Sequence, residues 1–351
     1  MVHQETTPKP VSQSHDITKI TGKRLLYTYE NGWLYEVYVK NSTTIDYRIY
    51  SGPVAKRWVK NQKVNIQLFA GNLFKISWCE PTGTAVTLCI NLDARQHHGV
   101  IYFPRWVHLN ASKTALFQNH HLLEMRRLRD SGPTYPIDVV NEFAELILVD
   151  DVGVDKEDVI SMSPTEFAPT VERLCKKAKL PHILAHFGEK WGSRDPINLV
   201  GKHLGFTYRN GWQHELYVRT ASSIDYRIRS RLGSTWHSSD DQDASISRLI
   251  GPNRYIVSWT DVSSGISTSL TLDVDRLELH GVHFLPQWIL TNIEELQLSL
   301  SSTAESGHRI VSSSPNSSEN SVTDSRDAGN TYPLHHVVES TSFSLVEDCE
   351  G

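Results

Sequence analysis

Four residues in the first quarter of the chain could do chemistry together. Tyr27 and Tyr29 stand two apart, so on a strand both phenols point to one face. If that face lines an enclosed slot, two neutral hydroxyl donors converge where a ligand would sit. If it lines an ordinary core, they are two packed tyrosines with satisfied hydroxyls. Arg57 sits in VAKRWV beside Trp58, and Glu80 follows the run ISWC just before a Pro-Thr-Gly turn. Taken singly, an arginine or a glutamate at a strand end is usually solvated surface.

What lifts these four is a second copy of their surroundings. Gly22 to Ser51 aligns with Gly201 to Ser230 at a constant offset of 179, with 17 identities in 30 positions. Ile45-Asp46-Tyr47-Arg48-Ile49 returns intact as Ile224-Asp225-Tyr226-Arg227-Ile228, and HGVIYFPRW from His98 returns as HGVHFLPQW from His280. TYPIDVV from Thr134 resembles TYPLHHVV from Thr331, and eight of the nine tryptophans pair between copies, leaving Trp191 alone. Repetition on this scale marks two copies of a packed scaffold. Within it Tyr27 becomes Phe206, Tyr35 becomes His214, Arg57 aligns with Thr235 and Glu80 becomes Asp261. The apolar frame persists while a particular polar set changes, as expected of a site lost from a surviving scaffold.

Positioning such a set takes strands. Runs such as LYEVYVK, TIDYRIY, VNIQLF, LFKISW and AVTLCINL alternate or are rich in β-branched and aromatic residues. Turn signals at Asn31-Gly32, Gly52-Pro53, Ala70-Gly71 and Pro81-Thr82-Gly83 separate them. Many short, closely spaced strands mean a sandwich or a barrel, and a barrel of about 8 strands can hold one small ligand. The expected fold is therefore mostly β, in two tandem copies with a few short helices. Helices are expected over Leu116 to Leu128 and near Thr170 to Lys179. Residues 1–19 read as a disordered tail, 20–150 as the first domain, 151–197 as a helical extension and connector, and 198–351 as the second domain. Inside that second domain the serine-rich tract from Ser299 to Asn330 lacks the apolar surface to order itself, and reads as an inert loop or a phosphorylation segment.

Composition bounds the rest. With 351 residues, 39% hydrophobic and 21% charged, the chain can build two cores. A net charge of -5 argues against a nucleic-acid footprint. The polar start and the lack of a long apolar run point to a cytoplasmic protein with no membrane partner. Cys79, Cys89, Cys175 and Cys349 show no paired spacing and are expected to be reduced thiols.

In sum YTYENGW, TIDYRI, AKRWV, SWCEPTG and HGVIYFPRWV resemble the phenolic acid decarboxylases over roughly residues 20 to 175. The resemblance implies a lipocalin-like β-barrel, usually homodimeric, that works without a cofactor. It implies conversion of p-hydroxycinnamic acids such as p-coumaric, ferulic and caffeic acid to 4-vinylphenols and carbon dioxide. By it, the substrate-binding tyrosines fall on Tyr27 and Tyr29, the substrate-binding arginine on Arg57, and the catalytic proton donor on Glu80. The second copy keeps only Tyr208 of this set, which implies a degenerate, non-catalytic barrel.

The residue types suit that chemistry. Direct loss of carbon dioxide would leave an unstabilised vinyl anion, whereas protonating Cα first lets a para-phenolate push electrons into a quinone methide. That route needs one general acid, donors for the oxygens at the ends of the substrate, and a dry slot for the ring. A carboxyl such as Glu80, buried in such a slot, tends to keep its proton. Arg57 offers a fork suited to a carboxylate, and which end of the substrate the tyrosines hold is open. The substrate ring is itself the electron sink, so neither cofactor nor metal is expected. The adjacent histidines His97-His98, His120-His121 and His335-His336 lack the cysteine or carboxylate spacing of a metal site. The expected partner is a small phenolic acid, with the chain either a homodimer or an intramolecular pseudo-dimer of its two repeats. The rival reading is a non-catalytic, lipocalin-like binding protein for small phenolics.

Overall fold

The computed structural model describes residues 16–177, 198–209, 211–230, 233–238, 244–249, 253–261, 264–289 and 331–345. The expected tail up to residue 15, the connector after Lys177 with Trp191, the serine-rich tract and Cys349 lie outside the described residues.

The first copy is one antiparallel sheet of nine strands. They are β1 (Lys23–Tyr29), β2 (Leu34–Asn41), β3 (Thr44–Ile49), β4 (Trp58–Lys63), β5 (Asn65–Ala70), β6 (Leu73–Cys79), β7 (Ala85–Asn91), β8 (Gln96–Phe103) and β9 (Asp138–Asp151). Their order is β4-β3-β2-β1-β9-β8-β7-β6-β5, so the last strand of this copy is stitched between β1 and β8. The sheet curls around a single core, in which Leu25, Tyr27 and Tyr29 of β1 share one cluster with Ile76 and Trp78 of β6 and Ile101 of β8. Where the curl closes, Gln62 Nε2 of β4 donates to the Cys79 carbonyl at the end of β6, at 3.1 Å.

Three helices flank this barrel: α1 (Arg105–Leu109), α2 (Leu122–Ser131) and α3 (Pro164–Lys177). The helix expected from Leu116 instead begins at Leu122 and runs to Ser131. Leu116 and Phe117 are committed to the barrel rim: the Leu116 carbonyl accepts Trp58 N–H at 3.2 Å and the Phe117 and Trp58 rings sit 4.2 Å apart. The second helix starts six residues before the expected Thr170. Ser163 Oγ accepts Glu166 N–H at 3.3 Å, Glu166 Oε2 accepts Ser163 N–H at 2.8 Å, and Pro164 takes the first helical position. That is a capping box with proline behind it.

α3 covers charge rather than a purely apolar face. Beneath it Arg24 Nε pairs with Glu36 Oε1 at 2.5 Å, Arg48 pairs with Glu36 Oε2, and the Arg48 guanidinium lies 3.9 Å from the Phe167 ring centroid. This explains the repeated IDYRI. Ile45 and Tyr47 face the core, Asp46 accepts Asn61 N–H at 2.6 Å and Arg48 turns outward to Glu36.

The second copy repeats the topology with β10 (His203–Thr207), β11 (Gln213–Val218), β12 (Ile224–Ser230), β13 (Gly233–Ser238), β14 (Ser245–Arg248), β15 (Arg254–Thr260), β16 (Ser267–Asp273), β17 (Glu278–Leu285) and β18 (His335–Leu345). Its order is β13-β12-β11-β10-β18-β17-β16-β15-β14.

The barrels pack through the outer faces of their later strands. Leu73, Ala85, Cys89, Val100 and Tyr102 of the first form one apolar cluster with Ile256, Val282 and Phe284 of the second. β8 packs on both faces, with Ile101 and Phe103 in the barrel core and Val100 and Tyr102 in the cluster between barrels, so every one of its residues is buried. The contact is reciprocal. Tyr135 of the first copy packs on Gly265 of the second, and Tyr332 of the second packs on Gly83 of the first. One feature breaks the symmetry: Lys75, fully buried, donates to the carbonyls of Ser269 at 2.9 Å and His280 at 3.1 Å, and its aligned residue in β15 is Ile256. No helix among the described residues is long and apolar enough to cross a membrane.

Candidate active site

All four residues singled out by sequence line one small cavity inside the first barrel, with a free volume of about 20 Å³, so the surrounding side chains nearly fill it. β1 carries Tyr27 and Tyr29 inward, 2% and 1% exposed. Arg57 is brought in by the turn before β4, where Lys56 adopts φ 72 and Arg57 O accepts Ile49 N–H at 2.9 Å. Glu80 begins the tight turn between β6 and β7, closed by Glu80 N–H to Thr84 O at 2.8 Å and Gly83 N–H to Glu80 O at 2.9 Å.

Arg57 and Glu80 are not separate groups waiting at the rim. Arg57 Nη1 pairs with Glu80 Oε2 at 2.6 Å, with both side chains almost wholly buried. Tyr47 Oη donates to Glu80 Oε1 at 2.7 Å, and Thr82 Oγ1 donates to Oε2 at 3.1 Å. Arg57 Nη2 donates to Thr114 Oγ1 at 2.6 Å, while its Nε is buried with no hydrogen-bond partner. The Tyr35 hydroxyl is likewise buried and unpartnered. An unmet buried polar group costs about 1–3 kcal/mol, so both are poised to gain from a ligand oxygen.

The aromatic wall is a tight stack. The Tyr27 and Tyr29 rings meet edge-on at 5.4 Å, Tyr29 meets Tyr35 at 5.3 Å, and His97 sits 4.5 Å from Tyr27. Burial pushes the phenols of Tyr27 and Tyr35 well above the usual tyrosine range and lowers His97 to about 3. The wall therefore stays neutral at ordinary pH, and its phenols remain donors. Gly99 of HGV is where Tyr29 needs room, since a Cβ there would lie 2.5 Å from Tyr29 Oη. His98, on the opposite face of β8, packs on Phe143 at 4.7 Å. Among the described residues no cluster of His, Cys, Asp or Glu could hold a metal ion.

Sequence reasoning missed Tyr47 and Thr114, which hold Glu80 and Arg57. Tyr47 recurs as Tyr226, so a search for differences between copies passes over it. Thr114 lies in the 3₁₀ turn Ala111–Thr114, reached only through the fold. Tyr35 carried a signal in its exchange for His214.

The second barrel keeps the frame and drops the charge pair. Phe206 stacks on His214 at 5.2 Å, and Tyr208 Oη meets His283 Nε2 at 2.9 Å. Thr235 pairs with Ile228, the register that Arg57 holds against Ile49. Asp261 lies close enough to the Tyr226 hydroxyl to act on it electrostatically, in the place where Glu80 bonds Tyr47.

Comparison with known proteins agrees with both halves. The family model described as phenolic acid decarboxylase (PAD) matches residues 17–173 and again 197–351. A probable phenolic acid decarboxylase of Vibrio cholerae serotype O1 is 47% identical over 156 residues, 44% of this chain and 90% of that protein. Phenolic acid decarboxylase PadC of Bacillus subtilis is 50% identical over 145 residues, 41% of this chain and 90% of that protein. With two matches that together span most of its length, the chain belongs to the phenolic acid decarboxylase family.

Proposed function

We propose that the first barrel decarboxylates p-hydroxycinnamic acids such as p-coumaric, ferulic and caffeic acid to 4-vinylphenols, with Glu80 as proton donor and with Tyr27, Tyr29 and Arg57 binding the substrate. One observation carries the reading: a carboxyl held by Arg57, Tyr47 and Thr82 lines an aromatic cavity with unmet donors. The substrate enters with its phenol ionised or ionising. Glu80 gives a proton to Cα, the alkene pair forms the new C–H bond, and the phenolate pair moves through the ring to leave a quinone methide. The bond from Cα to the carboxylate then breaks. Its electrons become the vinyl double bond, the ring regains aromaticity, carbon dioxide departs, and the phenol and Glu80 recover protons from solvent.

Arg57 has a double part in this reading. Its fork is taken by Glu80 and Thr114. A substrate oxygen at its Nε, or in exchange for Glu80, loosens the hold on the carboxyl and lets it turn toward the substrate. A positioned acid of this kind contributes roughly 10² to 10⁴ in rate. The test is incubation of the purified chain with p-coumarate, ferulate and cinnamate, without added cofactor, following loss of ultraviolet absorbance. p-Coumarate and ferulate should be consumed and cinnamate spared, because it has no para oxygen. Equal turnover of cinnamate would defeat the quinone-methide route.

A further inference from the structure

The second barrel keeps a cavity that the loss of the catalytic set leaves without a use. Its free volume is about 230 Å³, against about 20 Å³ in the first barrel. Aromatic rings line it, among them Phe206, Tyr208, Trp212, Tyr226 and Trp259. Its charge differs from the first, where Arg57 offsets Glu80. No lysine or arginine lines it among the described residues, whereas Asp261, Glu215 and Glu339 do. A carboxylate ligand would enter against like charge with no counter-cation, which is costly away from water. An ammonium ligand finds much of the acid already engaged. Glu215 pairs with Arg227 and His203, and Asp261 accepts the Ser264 hydroxyl at 2.6 Å besides meeting Tyr226.

The histidines do not restore positive charge, because burial lowers His214 to about 4 and His283 to about 3. They are neutral hydrogen-bonding rings. Both His283 nitrogens are engaged, Nε2 with Tyr208 Oη at 2.9 Å and Nδ1 with Thr268 Oγ1 at 3.1 Å. His214 Nε2 is buried with no hydrogen-bond partner. A ligand hydroxyl can satisfy that nitrogen in either tautomer, by donating or by accepting.

We propose that the second barrel is a binding site for an uncharged phenol, whose ring stacks in the aromatic cavity and whose hydroxyl meets His214. Only its link to the first barrel rests on the decarboxylation reading, since a 4-vinylphenol belongs to this class. Binding is read without turnover, so failure of one leaves the other testable.

Three probes share one ring and differ in the charge of the tail: 4-ethylphenol, 3-(4-hydroxyphenyl)propanoate and tyramine. Crystals of the full wild-type chain are soaked in each. 4-Ethylphenol should appear in the second barrel with its oxygen at His214, and the other two should not. Calorimetric titration of the full chain should show a 4-ethylphenol site that weakens at least tenfold in His214→Phe, which keeps the stack, and in Leu270→Phe, which fills the cavity. Both variants are checked for an unchanged melting temperature, and the wild-type soak decides if either fails to fold. 4-Ethylphenol confined to the first barrel, undiminished binding in both folded variants, or preferential occupancy by the propanoate or by tyramine would overturn the proposal.

Discussion

Tyr47 shows what one hydroxyl contributes to the site. It supplies the donor to Glu80 Oε1 at 2.7 Å, so Tyr47→Phe should lower kcat roughly 10- to 100-fold, the size of one hydrogen bond to a charged group, and move KM much less. A larger loss in KM than in kcat would make Tyr47 a substrate contact instead. Gly99 is tested through Tyr29: Gly99→Ala puts a methyl where the Tyr29 hydroxyl now lies, and should raise KM for p-coumarate several-fold while the melting temperature falls only slightly. An unchanged KM would separate Tyr29 from substrate binding. The four residues singled out by sequence were legible because the second copy changed three of them inside an otherwise retained frame. Tyr47 was invisible to the same logic because it did not change. The Arg57–Glu80 pairing was illegible for another reason: 23 positions separate them, and only the closing of the barrel makes them neighbours.

Among the elements, the strands were the most legible, since alternation and turn residues are local signals. The helix boundaries were not. Leu116 to Leu128 reads as a helix, yet the Phe117 ring is held against Trp58 at the rim, a contact that sequence periodicity does not contain. The start of α3 was legible in principle, for Ser163-Pro164-Thr165-Glu166 spells a capping box with proline at the first helical turn. α3 clamps the buried Glu36 cluster, with Phe167 over Arg48. Phe167→Ala should therefore destabilise the first barrel by about 1–3 kcal/mol, seen as a lower midpoint in thermal melting. A midpoint within error of wild type would show that the helix merely rests on the surface.

At the scale of the whole molecule the two barrels pack against each other with reciprocal Tyr135 and Tyr332 contacts. The resemblance left homodimer and pseudo-dimer open, and Lys75 favours the second. A two-fold pair of first barrels would bring two buried lysines into the interface, whereas this chain sets Lys75 against backbone carbonyls and aligns it with Ile256. The chain of 39.8 kDa should accordingly sediment as a monomer, and a clear dimer would count against this arrangement. Lys75 also makes a pH prediction. Burial lowers it from 10.5 to about 8, so between these values the unfolded chain binds more protons than the folded one, and stability rises with pH. Below about 8 the full penalty is present; it fades as pH climbs toward 10.5. Relative to wild type, Lys75→Met should lose this rise, which amounts to no more than about 3 kcal/mol, in denaturant melts across that window. Parallel pH curves for the two proteins would place the lysine's charge in water. The central claim is that one of two barrels does the chemistry through one carboxyl, and p-coumarate turnover by full-length Glu80→Gln tests it most directly. The account predicts a fall of roughly 10² to 10⁴ in a chain that still melts as a folded protein. Retention of about half the activity would reveal a working second barrel, and undiminished activity would remove Glu80 as the acid.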